Sequence, residues 1–78
     1  MEITLDQLCL GQKAVVTRIE TSQPLRMRLR DFGMIPGTKV RCRCFSPNGF
    51  AVALEVRGSV LALRSRDLRL VWGVLADA

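Results

Sequence analysis

The chain has 78 residues, 12 basic against 7 acidic side chains for a net charge of +5, and no histidine. A chain of this length can build one core but not two, and without histidine it has neither a histidine-assisted nucleophile nor a mixed cysteine–histidine zinc site. With 49% apolar and 24% charged residues, the expectation is a single folded domain over residues 1–78 that binds rather than catalyses.

Along the chain, Thr4-Leu5-Asp6-Gln7 fits a capping box, Leu5, Leu8 and Cys9 share a helical face, and Gly11 can close the helix in a left-handed conformation. A short helix is predicted there. Residues 12–20 alternate as a strand, with Val15, Thr17 and Ile19 on one face and Ala14, Val16, Arg18 and Glu20 on the other. From Ser22 to Phe32 the pattern turns helical, with Ser22 as N-cap, Pro24 in the first turn, and Leu25, Leu29 and Phe32 facing the core. On that helix Arg26 and Arg30 share one flank, Met27 and Asp31 point outward, and Arg28 borders the apolar stripe, its guanidinium expected to bond loop carbonyls. Gly33 ends the helix, and Pro36-Gly37 suits the two central positions of a type II turn.

Three alternating strands follow, at about residues 38–45, 50–57 and 59–64, joined at Pro47-Asn48-Gly49 and at Arg57-Gly58. In the first, Val40, Cys42 and Cys44 oppose Lys39, Arg41 and Arg43. In the second, Phe50, Val52, Leu54 and Val56 oppose Ala51, Ala53, Glu55 and Arg57. A helical turn at Ser65-Arg66-Asp67 precedes a last strand near residues 68–74, where Trp72 suits core or rim equally. The predicted architecture is mainly β with short helices: a small barrel of about five antiparallel strands plus the helix near residues 22–32.

The longest uncharged stretch, Cys44 to Leu54, is interrupted by Pro47-Asn48-Gly49 and is too short to span a bilayer. Met1-Glu2-Ile3 lacks a basic leader, and three cysteines are an odd count, so reduced thiols in the cytosol are expected. Cys42-x-Cys44 places two parallel thiols on a strand, at most half of a four-ligand site, and core packing is the expected role for both.

Several of these segments together resemble a known family. Leu5-x-x-Leu8-x-x-Gly11, then Arg28-Leu29-x-x-Phe32-Gly33-Met34-Ile35-Pro36-Gly37, then Leu61-Ala62-Leu63-Arg64 with Asp67-Leu68, are similar to FeoA, the small SH3-like domain of bacterial ferrous iron uptake. The departure is at Asn48-Gly49-Phe50, where the family's usual hairpin after Pro47 reads Gly-Asp-Pro. The resemblance implies a cytosolic accessory protein that binds and modulates a FeoB-type permease carrying a GTPase domain, on the inner membrane face, with weak self-association allowed. It implies no tightly bound cofactor, and a transition metal ion enters only by family association. A related domain ends metal-dependent repressors, so a metal-sensing or corepressor-type role is an alternative.

Ten arginines against two lysines favour bidentate recognition of carboxylates or phosphates. The expected partner-binding residues are Arg26, Met27, Arg30, Arg41 and Arg43; the competing reading is a solvated face with local pairing, for example of Arg18 near Glu20. Charge alone also admits a nucleic-acid-binding barrel, but only Phe32, Phe45, Phe50 and Trp72 are aromatic and they form no stacking platform. No nucleic-acid partner is therefore expected.

Overall fold

The computed structural model describes residues 1–76; the last two residues of the expected domain lie outside the described part. Six strands form one antiparallel sheet: β1 (Glu2–Thr4), β2 (Lys13–Ile19), β3 (Lys39–Phe45), β4 (Ala51–Val56), β5 (Ser59–Arg64) and β6 (Val71–Ala76). Their order across the sheet is β1-β6-β2-β3-β4-β5. Helix α1 (Gln23–Asp31) lies between β2 and β3, and the four-residue α2 (Ser65–Leu68) lies between β5 and β6. The fold class is as read from the sequence, with two differences. There are six strands, and the sheet stays open, because β1 and β5 end it without pairing to each other. Packed against β5, β6 and the turn at Leu5–Gln7, α2 fills the gap.

The predicted helix at residues 4–11 reduces to a 3-10 turn, Leu5–Gln7, without a side-chain cap, and the residues before it form β1 against β6. Leu5 and Leu8 are buried as expected, whereas Cys9 is exposed. In β2 the expected faces are partly reversed. Val16 pairs with Gly73 but Arg18 pairs with Trp72, so Thr17 is an extra residue in the ladder. This bulge resets the alternation and brings Ile19 onto the same buried face as Ala14 and Val16.

A second bulge sits in β3. Cys42 pairs with Leu54 and Cys44 with the adjacent Ala53, which leaves Arg43 as the extra residue. Paired residues share a face, so Cys42 lies inside with Leu54 while Cys44 turns outward with Ala53. The expected core role holds for Cys42 and fails for Cys44. In β4, Val52, Leu54 and Val56 are buried as the alternation required; Phe50 precedes the strand and is 74% exposed.

Helix α1 docks through Leu29, which is fully buried, and Leu25, which packs at the edge of the core. Phe32 does not join them and is 51% exposed. The helix stops at Asp31, and the Gly33 N–H bonds the Arg30 carbonyl while the Met34 N–H reaches back to the Leu29 carbonyl. With Gly33 at φ +85°, this Schellman closure turns the chain back on itself and carries Met34 into the core.

The loop from Gly33 to Thr38 is tied down at several points. The Thr38 N–H bonds the Ile35 carbonyl across Pro36-Gly37, with Gly37 at φ +95°, as the type II turn requires. The Gly37 N–H also bonds the Val16 carbonyl, and the Thr38 hydroxyl donates to the Gly33 carbonyl at 2.8 Å. Arg57 supplies the arginine contact expected of Arg28: its Nε donates to the Gly33 carbonyl at 3.2 Å, while Arg28 is exposed.

At Gly73 the backbones of β6 and β2 come close, and a Cβ there would stand 2.8 Å from the Val15 carbonyl oxygen and 3.1 Å from a Leu5 methyl. Carbonyl oxygens in a paired strand cannot retreat cheaply. Gly73→Ala is expected to destabilise the domain by about 1–3 kcal/mol, read as a lower urea midpoint at unchanged slope. An unchanged midpoint would show that β6 can shift away from β2.

Candidate functional site

Helix α1 lies beside the strand end of β2 and the loop at residues 34–36. Between them runs a shallow groove of about 270 Å³ lined by Arg18, Arg26, Arg30, Met34, Ile35 and Pro36, among others. Arg26 and Arg30 are one helical turn apart and share its helix-side wall. Like charges at this spacing repel, and neither side chain makes an ion pair among the described residues. Arg30 gains from its place in the last turn, where the helix dipole favours cations; Arg26 lacks that compensation.

The opposite wall is held in place. Arg18 lies over the Trp72 ring at 4.4 Å, and its guanidinium pairs with Glu20 at 2.7 Å and Glu2 at 3.4 Å. The indole N–H of Trp72 donates to Glu20 at 3.1 Å, so the half-buried Trp72 sits at the rim and links β6 to β2. The cation–aromatic contact follows from the bulge, because skipping Thr17 places Arg18 directly opposite Trp72. Two carboxylates largely occupy Arg18, which leaves Arg26 and Arg30 as the cations free to recruit an anionic group.

The five sequence-predicted residues do not meet in one site. Arg26 and Arg30 line the groove, and Met27, 54% exposed, adjoins them on α1. Arg41 and Arg43 stand on the outward side of β3. Arg41 is opposite Lys13 on β2 and Glu55 on β4, and Arg43 pairs with Glu55 at 2.9 Å. The groove that Arg41 lines also contains Lys39, Arg57 and Gly58, and it is separate from the α1 groove. Arg18, Ile35 and Pro36 were missed as groove residues. The Pro36-Gly37 turn was the available signal, because a type II turn directly after a helix brings its apolar tip back beside that helix.

Among the described residues, no group of three or more His, Cys, Asp or Glu side chains could hold a metal ion. Cys42 is buried, and its thiol is pushed up in pKa by desolvation, with smaller contributions from the nearby Cys44 and Cys9 thiols. Among the described residues, no helix is long and apolar enough to cross a membrane.

The geometry defines a small SH3-like domain with a basic groove beside helix α1. The FeoA domain family model matches residues 3–74, and the chain belongs to that family. FeoA protein from Chlorobium tepidum superposes with a TM-score of 0.89 at 28% identity, covering 95% of this chain and 71% of that one. A FeoA-like protein from Clostridium acetobutylicum gives 0.83 at 27% identity, covering 99% and 91%. A manganese-dependent transcriptional repressor, solved with manganese, shares the fold at 0.82 and 18% identity over 37% of its own length. None of the curated proteins compared matches the chain.

Two measurements check this geometry. Cys9 and Cys44 are exposed, so Ellman's reagent is expected to titrate two thiols in the native protein and the third, Cys42, only after unfolding. Rapid reaction of all three would place Cys42 at the surface. Glu2 has its carboxyl pKa lowered from an ordinary 4.5, chiefly by the Thr17 hydroxyl, which outweighs an opposing desolvation, with further lowering from the Arg18 charge and hydrogen bond. The unfolded chain therefore takes up this proton first as pH falls. The contribution of Glu2 to stability is complete above 4.5 and fades below it, through the lowered folded value. Glu2→Gln is expected to flatten that part of the acid limb in urea titrations, and an unaltered limb would show that the contact contributes nothing.

Proposed function

We propose that this domain is a non-catalytic adaptor of ferrous iron uptake that docks on the cytosolic part of a FeoB-type permease and modulates its assembly or transport. Family membership supplies the iron system. The observation that supports docking is the pair of unpaired guanidiniums, Arg26 and Arg30, beside exposed Met27 on a helix anchored by Leu29 and a tied-down loop. A rigid surface that combines cations with a flexible apolar side chain suits an acidic protein face, because little ordering entropy is lost on contact. Arg41 and Arg43 provide a second basic patch on β3, with Arg43 already engaged by Glu55. Iron in this reading is the permease's cargo, and the domain acts by contact at the inner membrane face.

Trp72 is the only tryptophan of the chain and lies under Arg18, a groove residue, so its fluorescence senses changes at that wall. Titrating the permease's soluble GTPase domain, and the full permease in nanodiscs, is expected to shift that emission saturably with at least one of them. Arg26→Glu with Arg30→Glu should weaken binding by about tenfold or more at unchanged thermal stability, since both side chains are exposed. Absence of binding to both permease forms, together with normal iron uptake in a strain lacking the domain, would overturn the proposal.

A further inference from the structure

A second concave surface lies at the junction of β4, β5 and α2. It is an open cavity of about 700 Å³, lined by Phe50, Ala51, Arg64, Arg66, Arg69 and the Asn48-Gly49 turn, among others. Phe50 lies in its wall and is 74% exposed. Three of the ten arginines line the same cavity as this one aromatic ring. Arg64 and Arg66 make no ion pair among the described residues, and Arg69 reaches Asp6 only at 3.7 Å.

The walls are fixed before any ligand arrives. The Phe50 N–H donates to Asn48 Oδ1 at 2.9 Å, and the Ser46 hydroxyl bonds the same oxygen at 2.6 Å. From α2, the Ser65 hydroxyl donates to the Gly49 carbonyl at 2.7 Å and the Ser65 N–H to the Phe50 carbonyl at 2.8 Å. The Phe50 backbone is thus bonded on both sides while its ring stays in water. Arg64 lies opposite Ala51 in the β4–β5 ladder, so the two share a face. Behind Arg69 and outside the cavity lining, Asp6 Oδ2 faces the Arg69 guanidinium, and Asp6 Oδ1 is buried without a hydrogen-bond partner among the described residues.

We infer that this cavity docks an acidic segment of a partner protein, one that inserts an aromatic or aliphatic side chain against Phe50 and sets its carboxylates on Arg64, Arg66 and Arg69. Charge complementarity selects the occupant, since planar guanidiniums recognise carboxylates bidentately and aromatic and arginine side chains dominate protein contact energies. A single-stranded nucleic acid would need successive aromatic platforms, and the cavity holds one. A flat lipid surface would reach the Phe50 ring but leave the concavity unfilled. The surface is separate from the α1 groove and does not depend on the permease reading.

The test is fluorescence anisotropy of a labelled dodecapeptide of alternating glutamate and glycine around one central phenylalanine. Saturable binding is expected, weakening steeply between about 0.05 M and about 0.5 M salt. Arg64→Glu with Arg66→Glu should weaken it by about tenfold or more, and Phe50→Ser by several-fold, while Arg26→Glu with Arg30→Glu, which reaches this cavity only through the screened net charge, weakens it less than the first pair does. Each variant's melting temperature is measured alongside; Phe50 and both arginines are exposed, so a large drop is not expected. Failure to bind the peptide overturns the inference. So does equal binding of a glutamine-substituted peptide, or tighter binding of an oligothymidylate or of vesicles with one third phosphatidylglycerol that is lost in the same variants.

Discussion

One face of six strands has to enclose the whole apolar core of this domain, and the sheet can do so only by bending. The bends come from two single-residue bulges, at Thr17 in β2 and at Arg43 in β3. Each adds one residue against its partner strand, increases the local twist and turns the remainder of its strand over. On the inside, the first bulge carries Ile19 into a core shared with Leu5, Leu54 and Val71. On the outside, it sets Arg18 over Trp72, while the second bulge directs Cys44 away from Cys42. Core and surface therefore follow from the same two insertions.

A sheet bent in this way leaves its two end strands unpaired with each other, and the connecting segments complete the enclosure. Helix α2 closes the gap between β5 and the Leu5–Gln7 turn, and its Leu68 is fully buried. At the other side, α1 contributes Leu29 and its Schellman closure contributes Met34. Gly33 is the common point of that corner. Its positive φ permits the closure, its carbonyl accepts from Thr38 and Arg57, and a Cβ would come within 2.6 Å of the Arg57 side chain. Arg57 itself takes a φ of +51°, so a tight turn with non-glycine strain is joined to the helix stop by one hydrogen bond.

The surface uses the same economy of parts. Arg18 and Arg43 are engaged by Glu20 and Glu55, whereas Arg26, Arg30, Arg64 and Arg66 form no such pairs among the described residues. Exposed ion pairs contribute only ~0–1 kcal/mol each, so leaving these cations unpaired costs the fold little and keeps their donors available. They fall on two surfaces with firm backbones, one beside α1 and one beside the Asn48-Gly49 turn. Both surfaces place an exposed apolar side chain, Met27 or Phe50, near the free guanidiniums, a combination suited to recognition of acidic protein.

What the sequence by itself determined was the punctuation and the charge. Gly33, Pro36-Gly37 and Arg57-Gly58 mark real turns because each needs a backbone geometry that few residues adopt, and the alternation of Val52, Leu54 and Val56 could face only one way. The FeoA resemblance was legible for the same reason, since its most specific run is the helix stop and turn that fix α1 against the sheet. What only the tertiary structure decided was everything beyond a bulge or a helix end. A bulge is one residue of offset against a partner strand, so no single-strand pattern reveals that Ile19 turns in or that Cys44 turns out. Phe32 keeps helical spacing in the sequence but stays half exposed, whereas Met34, outside the helix, is buried because the chain folds back at Gly33. The separation of Arg26 and Arg30 from Arg41 and Arg43, and the gathering of Phe50 with Arg64, Arg66 and Arg69, are matters of sheet order and of where α2 packs.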